Sequence, residues 1–425
     1  MSGWVTRCAR TIRWRDTAKM TETIGTPILT APVATGSHDQ HMVVNLGPQH
    51  PATHGVLRLV AELDGEIVVR LYPEIGYLHT GIEKTCEAKF YQQVVPLTDR
   101  VNYLDPLSNN LGYSLAVEKL LGLEIPKRAQ YLRVIMAELS RLNSHLIWLG
   151  THAMDIGALT VFLYCFRERE EILRLFEAVA GQRMMTSYIR VGGLSLEPPL
   201  DFFTRLREFL AILPERIDEY ANLLTGNPIF RNRLEGVGYL SAEDAVALGV
   251  TGPPMRASGV DFDVRRDIPY SSYEDFKFEV PISNKCDCWA RYEVRLVEMR
   301  ESIKIIEQAL AGLPEGAIKA DAPKILLPDR EKMKTQMEAL IHHFKIVTEG
   351  FAVPAGEVYQ AIECGHGQVG YYVVSDGSAK PYRVHMRYPS FATLQALETM
   401  CQGRMLADVV AVIGSIDIVL GEIDR

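Results

Sequence analysis

No apolar run in this chain approaches the roughly 20 residues that a helix needs to cross a bilayer. The best candidate, Gly157 to Phe166 (GALTVFLYCF), runs directly into Arg167, Glu168 and Arg169 and reads as buried core helix. Cysteines are few: Cys8, Cys86, Cys165, Cys286, Cys288, Cys364 and Cys401 are scattered and odd in number, which suits a reducing compartment better than a disulfide framework. There is no excess of basic charge, and the net charge of −8 argues against a nucleic-acid surface, which neutralises phosphates with Lys and Arg. No GxGxxG follows a strand and no GxxxxGK[ST] is present, so no glycine loop at a helix start is offered to the phosphates of a nucleotide. NADH is therefore not expected to bind here. Internal repeats are absent, as are low-complexity tracts beyond the N-terminus.

What is present is ordinary globular composition: 425 residues, 47% hydrophobic and 23% charged, enough for a sizeable core. Residues 1–40 stand apart. Arg7, Arg10, Arg13, Arg15 and Lys19 face a lone Asp16, with no apolar segment of the kind a secretory signal needs. This stretch is expected to be a disordered extension or an over-long start upstream of Met20, a mitochondrial transit segment being the alternative.

Residues 41–75 form a small β-rich region, with strands expected over Met42–Leu46, Val56–Leu63 and Glu66–Tyr72, the last two joined by an Asp64-Gly65 hairpin. Residues 76–313 turn to helical spacing. In Arg128–Leu149, apolar residues recur at steps of three and four, while Glu138, Arg141 and His145 form a second stripe expected to pair internally, since buried charges need partners. Further helices are expected over Ala158–Ala180, Leu200–Leu224 and Asp287–Leu313, packed as a bundle, with an irregular excursion at 235–280 available to other chains. Residues 314–425 add a helix and short strands at Val358–Glu363, Gly370–Val374 and Tyr382–Met386, a segment expected to return to the first sheet. The fold class is α+β with a mainly helical core.

The chemistry concentrates in Asn45 to Arg58 (NLGPQHPATHGVLR). His50 and His54 flank Pro51, and Gly47, Pro48 and Gly55 force a shaped loop. Such a loop presents its imidazoles either to water or to a cavity. Cys286-Asp287-Cys288 lacks the second pair a metal site would show, and His342-His343 reads as helix surface. No metal site is expected.

This loop, with Gly76–Lys84 (GYLHTGIEK), Thr98–Tyr103 (TDRVNY), Thr151–Gly157 (THAMDIG) and the ending MLADVVAVIGSIDIVLGEIDR, resembles the quinone-site subunit of respiratory complex I. That is the D subunit of the proton-pumping NADH:quinone oxidoreductase (NDH-1), a family similar to the large subunit of nickel-iron hydrogenases. The resemblance runs from about residue 41 to Arg425. It implies a hydrogenase-like fold and a chamber for quinone reduction shared with the iron-sulfur B subunit, with the C subunit and the membrane-arm H subunit as further partners. It also implies peripheral attachment, through those partners, to the cytoplasmic face of a bacterial inner membrane or the matrix face of a mitochondrial one. Aligned with hydrogenases, the metal-binding CxxC pairs fall on Asn102 and Asp105 and near Val419 and Glu422, so the thiolates for nickel are gone.

By resemblance, His54 and Tyr103 hydrogen-bond the two carbonyls of a quinone head group, and Asp155 partners His54 in proton delivery. Both donors carry a proton to offer near neutral pH, with ordinary pKa values of about 6.5 and 10. His50, Gly55, Thr151 and Val419 line the pocket. Arg100 lies near the partner's iron-sulfur cluster, where a fixed positive charge favours the reduced state. Without the resemblance, Tyr103 reads as a buried tyrosine bonded to backbone and Asp155 as a helix-end carboxylate. Thr80 and Met185 stand where relatives carry an arginine and a redox-linked histidine, so the pH dependence of the cluster potential is expected to be weaker. The competing reading is a non-catalytic scaffold of a hydrogenase-like membrane complex.

Overall fold

The computed structural model describes residues 41–425, so the expectation for residues 1–40 lies outside the described residues. The chain opens with an antiparallel sheet, β1 (Met42–Leu46), β2 (Arg58–Asp64) and β3 (Ile67–Glu74), in that spatial order. On β2, Leu59, Ala61 and Leu63 alternate inward and are buried, which is the period a one-sided sheet requires. The turn between β2 and β3 falls at Gly65-Glu66, as the Asp-Gly signal predicts to within a residue.

Helices follow: α1 (Ile82–Ala88), α2 (Tyr91–Val101), α3 (Pro106–Leu121), α4 (Lys127–Asp155), α5 (Leu159–Ala180) and α6 (Leu200–Leu224). After the irregular excursion comes α7 (Cys288–Ala311), capped by the Asp287 carboxylate, which accepts from the Ala290 N–H at 2.8 Å. Cys286 precedes the helix and Cys288 begins it. The two long helices α4 and α7 lie against each other at the centre, and both are buried over much of their circumference.

Their contact carries the expected polar stripe. Arg141 donates to Glu138 at 3.2 Å, and His145 meets Glu298 of α7 at 3.0 Å. The excursion closes this network from the other side with buried arginines. Arg256 pairs with Glu298 and with Glu363 (2.8 Å), while Arg265 bonds Asp263 (2.7 Å) and Glu138 (3.1 Å). All of these side chains are buried, so each guanidinium needs its carboxylates to offset desolvation.

A second sheet, β4 (Gly356–Cys364), β5 (Gly367–Ser375) and β6 (Arg383–Arg387), is also antiparallel. It packs on α3 and α1 instead of returning to the first sheet. Tyr371 of β5 fits over Gly112 of α3, where an added Cβ would stand 2.8 Å from the ring, and the Met386 N–H donates to Glu83 of α1 at 2.8 Å. The first sheet is met by a different C-terminal piece: the Val68 N–H donates to the Arg404 carbonyl at 2.8 Å, just before α8 (Leu406–Ile416). A short helix, α9 (Leu420–Asp424), ends the chain against α2. Among the described residues no helix is long and apolar enough to cross a membrane.

Candidate functional site

The loop between β1 and β2 is shaped by its own backbone bonds. His50 accepts the Ala52 N–H on Nδ1 at 3.2 Å, and the buried Thr53 hydroxyl donates to the His50 carbonyl at 3.0 Å. A single helical turn, Pro51–Thr53, results, and His54 closes it in the left-handed region at φ 53°. Gly47 has no room for a side chain, because a Cβ there would lie 2.1 Å from the Leu57 carbonyl oxygen. Gly55, at φ 82°, has open space around it. His54 itself is solvent-exposed, yet enough protein surrounds the ring that burial holds its pKa below the usual 6.5, with the Asp417 carboxylate pulling the other way.

Asp155 is the last residue of α4 and is half-buried. Burial raises its carboxyl to about 6, and the charge that acts against this is that of His50. Different carboxylates are thus felt by the two loop histidines: the charge of Asp417 acts on His54, and that of His50 acts on Asp155. No hydrogen bond joins His54 to Asp155 among the described residues. One turn earlier, the Thr151 hydroxyl donates back to the Ile147 carbonyl at 3.0 Å and keeps its lone pairs free to accept.

Tyr103 sits just after α2 and is partly buried, and its hydroxyl has no hydrogen-bond partner among the described residues. The backbone bond expected of an ordinary buried tyrosine is missing. Burial, then the nearby Glu422 carboxylate, raises its pKa, while His366 lowers it. Its ring is braced by α9: a Cβ on Gly421 would stand 3.3 Å from Tyr103 Cε1 and 2.4 Å from the Val101 carbonyl oxygen. Val419 caps α9 at its start and is buried, its N–H donating to the Ser390 hydroxyl at 3.2 Å. Arg100 is exposed at the end of α2, its guanidinium turned back to the Pro96 carbonyl.

Behind Tyr103 lies a buried polar cluster that no sequence motif announces. The Asn102 amide donates to Glu422 Oε1 at 2.6 Å and to His366 Nδ1 at 3.0 Å, and Asp105 accepts the Gly365 N–H at 3.0 Å. On its far side, His366 Nε2 is 3.2 Å from the Ser144 hydroxyl and 3.5 Å from Asp417 Oδ2. Asp417, with φ 52°, ends α8, which packs on the histidine loop. Asn102, Asp105 and Glu422 thus converge on the turn at Gly365-His366 as hydrogen-bonding groups. Asp417 and Glu422 are visible in the ending IDIVLGE, but only the fold shows that the turn Cys364-Gly365-His366 joins them.

Tyr103, His54 and Asp155 do not line the cavities of about 800 Å³ found between the Ser195–Leu196 segment and residues 316–347.

Residues 155–425 match the family described as "Respiratory-chain NADH dehydrogenase, 49 Kd subunit". The chain is 69% identical over 394 residues to the NADH-quinone oxidoreductase D subunit 2 of Koribacter versatilis, covering 93% of this chain and 98% of that one. It is 66% identical to the D subunit 1 of Solibacter usitatus, over 91% of this chain and 94% of that protein. With the D subunit of Trichlorobacter lovleyi it shares 57% identity, over 92% of this chain and all of its counterpart.

Proposed function

Because this chain belongs to the 49 Kd subunit family of the respiratory-chain NADH dehydrogenase and is a subunit of an NADH-quinone oxidoreductase, we propose that its β1–β2 loop, the end of α2 and the end of α4 form the wall of a quinone-reduction chamber. The iron-sulfur B subunit would close that chamber and deliver electrons, with Arg100 facing its cluster. The C and H subunits would be further neighbours. The chain would sit peripherally on the cytoplasmic face of a bacterial inner membrane, with the mitochondrial matrix face as the alternative, and quinone reduction there would drive proton translocation.

The observation that carries this reading is the Tyr103 hydroxyl, held by a close-packed ring yet left without a protein acceptor or donor among the described residues. A hydroxyl in that position is free to donate to a substrate carbonyl. Quinone reduction consumes two protons. Tyr103 and His54 would each hold one at a carbonyl oxygen, His50, Gly55, Thr151 and Val419 would shape the pocket, and Asp155 would hold the loop through His50. The burial-raised pKa of Tyr103 keeps its proton on at neutral pH until negative charge develops on the substrate. Loss of protons from these groups changes the charge beside the loop Asn45–Arg58 and so would bias its conformation.

A photoreactive quinone analogue on the complex purified through this subunit tests the placement. Label is expected in peptides spanning residues 45–58 and 100–105 and to be displaced by excess quinone. Displaceable label confined to other subunits would overturn the assignment and favour the scaffold reading.

A further inference from the structure

His366 stands between two carboxylates that come from separate helices. Its Nε2 is 3.5 Å from Asp417 Oδ2 at the end of α8, and its Nδ1 is 3.9 Å from Glu422 Oε1 in α9. All three side chains are buried. Arg295 of α7 approaches Asp417 at 3.8 Å, whereas the ion-pair partner of Glu422 among the described residues is His366. Asp105, which caps α3, accepts from the Ser108 and Gly365 N–H groups. The cluster thus gathers more carboxylates than guanidinium groups, and a buried carboxylate needs a cation or a proton.

The imidazole is placed to be that cation. Its Nε2 has the Ser144 hydroxyl at 3.2 Å and Asp417 Oδ2 as neighbours, and that Asp417 oxygen receives no hydrogen bond from the rest of the described residues. A second proton, on Nδ1, faces Glu422 Oε1 and the Cys364 thiol. The Asn102 amide does not prevent this. Its oxygen is held by the Leu104 and Asp105 N–H groups at 3.1 and 3.0 Å, and its NH₂ keeps Glu422 Oε1 at 2.6 Å while giving up only the longer contact to Nδ1. Burial opposes the charge, but Asp417 and then Glu422 outweigh it and hold the imidazole pKa well above 6.5.

The same groups reach the two candidate quinone donors. The charge of Asp417 acts on His54, and those of Glu422 and His366 act on Tyr103 in opposite senses. We infer that His366 is a positioning residue for quinone reduction: a buried cation that neutralises Asp417 and Glu422 behind His54 and Tyr103 and ties α8 and α9 to the β4–β5 turn. The inference rests on the quinone reading of those donors. When the Tyr103 hydroxyl gives its proton to a substrate oxygen, the phenolate left behind is stabilised by a nearby cation and opposed by a bare carboxylate. Loss of the cation leaves Glu422 either charged against Tyr103 or protonated and released from its partner, which loosens α9, the helix that braces the Tyr103 ring.

The test uses the whole complex: wild type, His366→Gln, His366→Lys and Tyr103→Phe. NADH oxidation is measured with a short-chain quinone between about pH 6 and 9.5, beside the rate with an artificial acceptor. Gln keeps hydrogen-bonding capacity without charge and is expected to lower the quinone rate about tenfold while the artificial-acceptor rate persists. Lys restores the charge and is expected to recover most of the quinone rate. The wild-type rate should fall on the alkaline side as His366 loses its proton, and that limb should move to higher pH in His366→Lys, because an amine holds its proton more tightly than an imidazole. A wild-type quinone rate in His366→Gln, or a His366→Lys as slow as His366→Gln, would overturn the inference, the latter being the result of a role in shape alone. A slow Tyr103→Phe beside an unaffected His366→Gln removes this inference and leaves the quinone reading intact, whereas full quinone turnover in Tyr103→Phe removes both. Should His366→Gln fail to assemble, His366→Lys decides: an alkaline limb moved upward supports the cation, and an unmoved limb or a collapsed quinone rate overturns it.

Discussion

Asp155 carries a prediction that rests on one side chain. Its carboxyl is raised to about 6 by burial at the end of α4, against about 3.9 in an unfolded chain. The folded state therefore binds this proton more tightly than the unfolded one. The stability that the proton confers is complete below about pH 4 and is lost as pH rises through about 6. Above that point the ionised carboxylate faces His50, so Asp155→Asn is expected to slow quinone reduction about tenfold at pH 7.5 and to erase any acid limb of the rate near pH 6. Rates across pH 5 to 8 with a short-chain quinone check this, and an unchanged limb near 6 would show that another group sets it. The residue itself is legible in THAMDIG, but its partner is not. Which loop histidine meets which carboxylate depends on how α8 delivers Asp417 to His54 across more than 360 residues of chain, and no local spacing encodes that. His366 escapes notice in the sequence for the same reason: a lone histidine in a Cys-Gly-His turn has no visible partner until α9 supplies Glu422.

At the scale of elements, the strands and long helices follow closely from pattern. The helix expected over Leu200–Leu224 has those same bounds, and the stripe Glu138, Arg141, His145 on α4 pairs internally as buried charge must. The partners from the excursion are hidden in the sequence because Arg256 and Arg265 sit among glycines and prolines with no periodicity to mark them as core. The C-terminal sheet packs away from the expected neighbour because alternation identifies an inward face without saying which surface it faces, here α3. Helix α9 also carries a prediction. In Gly421→Ala the new methyl would lie 2.4 Å from the Val101 carbonyl oxygen, which is backbone and cannot swing aside, so α9 or the Tyr103 ring must shift. A displacement approaching 1 Å at a reacting group costs of the order of 100-fold in rate. Quinone reduction is expected to fall by that order while NADH oxidation with an artificial acceptor continues, and full quinone turnover in this variant would argue that Tyr103 needs no bracing.

For the whole molecule, the described residues pack the histidine loop and α4 against α8, and α2 against α9. Membership of the family is legible because short motifs stand in order along the chain, whereas the cluster behind Tyr103 is a product of their three-dimensional return. The central claim is that Tyr103 serves a quinone and not the fold. Tyr103→Phe keeps the ring against Gly421 and removes only the hydroxyl. In the complex purified through this subunit, NADH oxidation is measured with an artificial acceptor and with a short-chain quinone. Retention of the first rate with loss of the second by about 100-fold or more is the expected result; retention of both would contradict the account and make Tyr103 a structural residue.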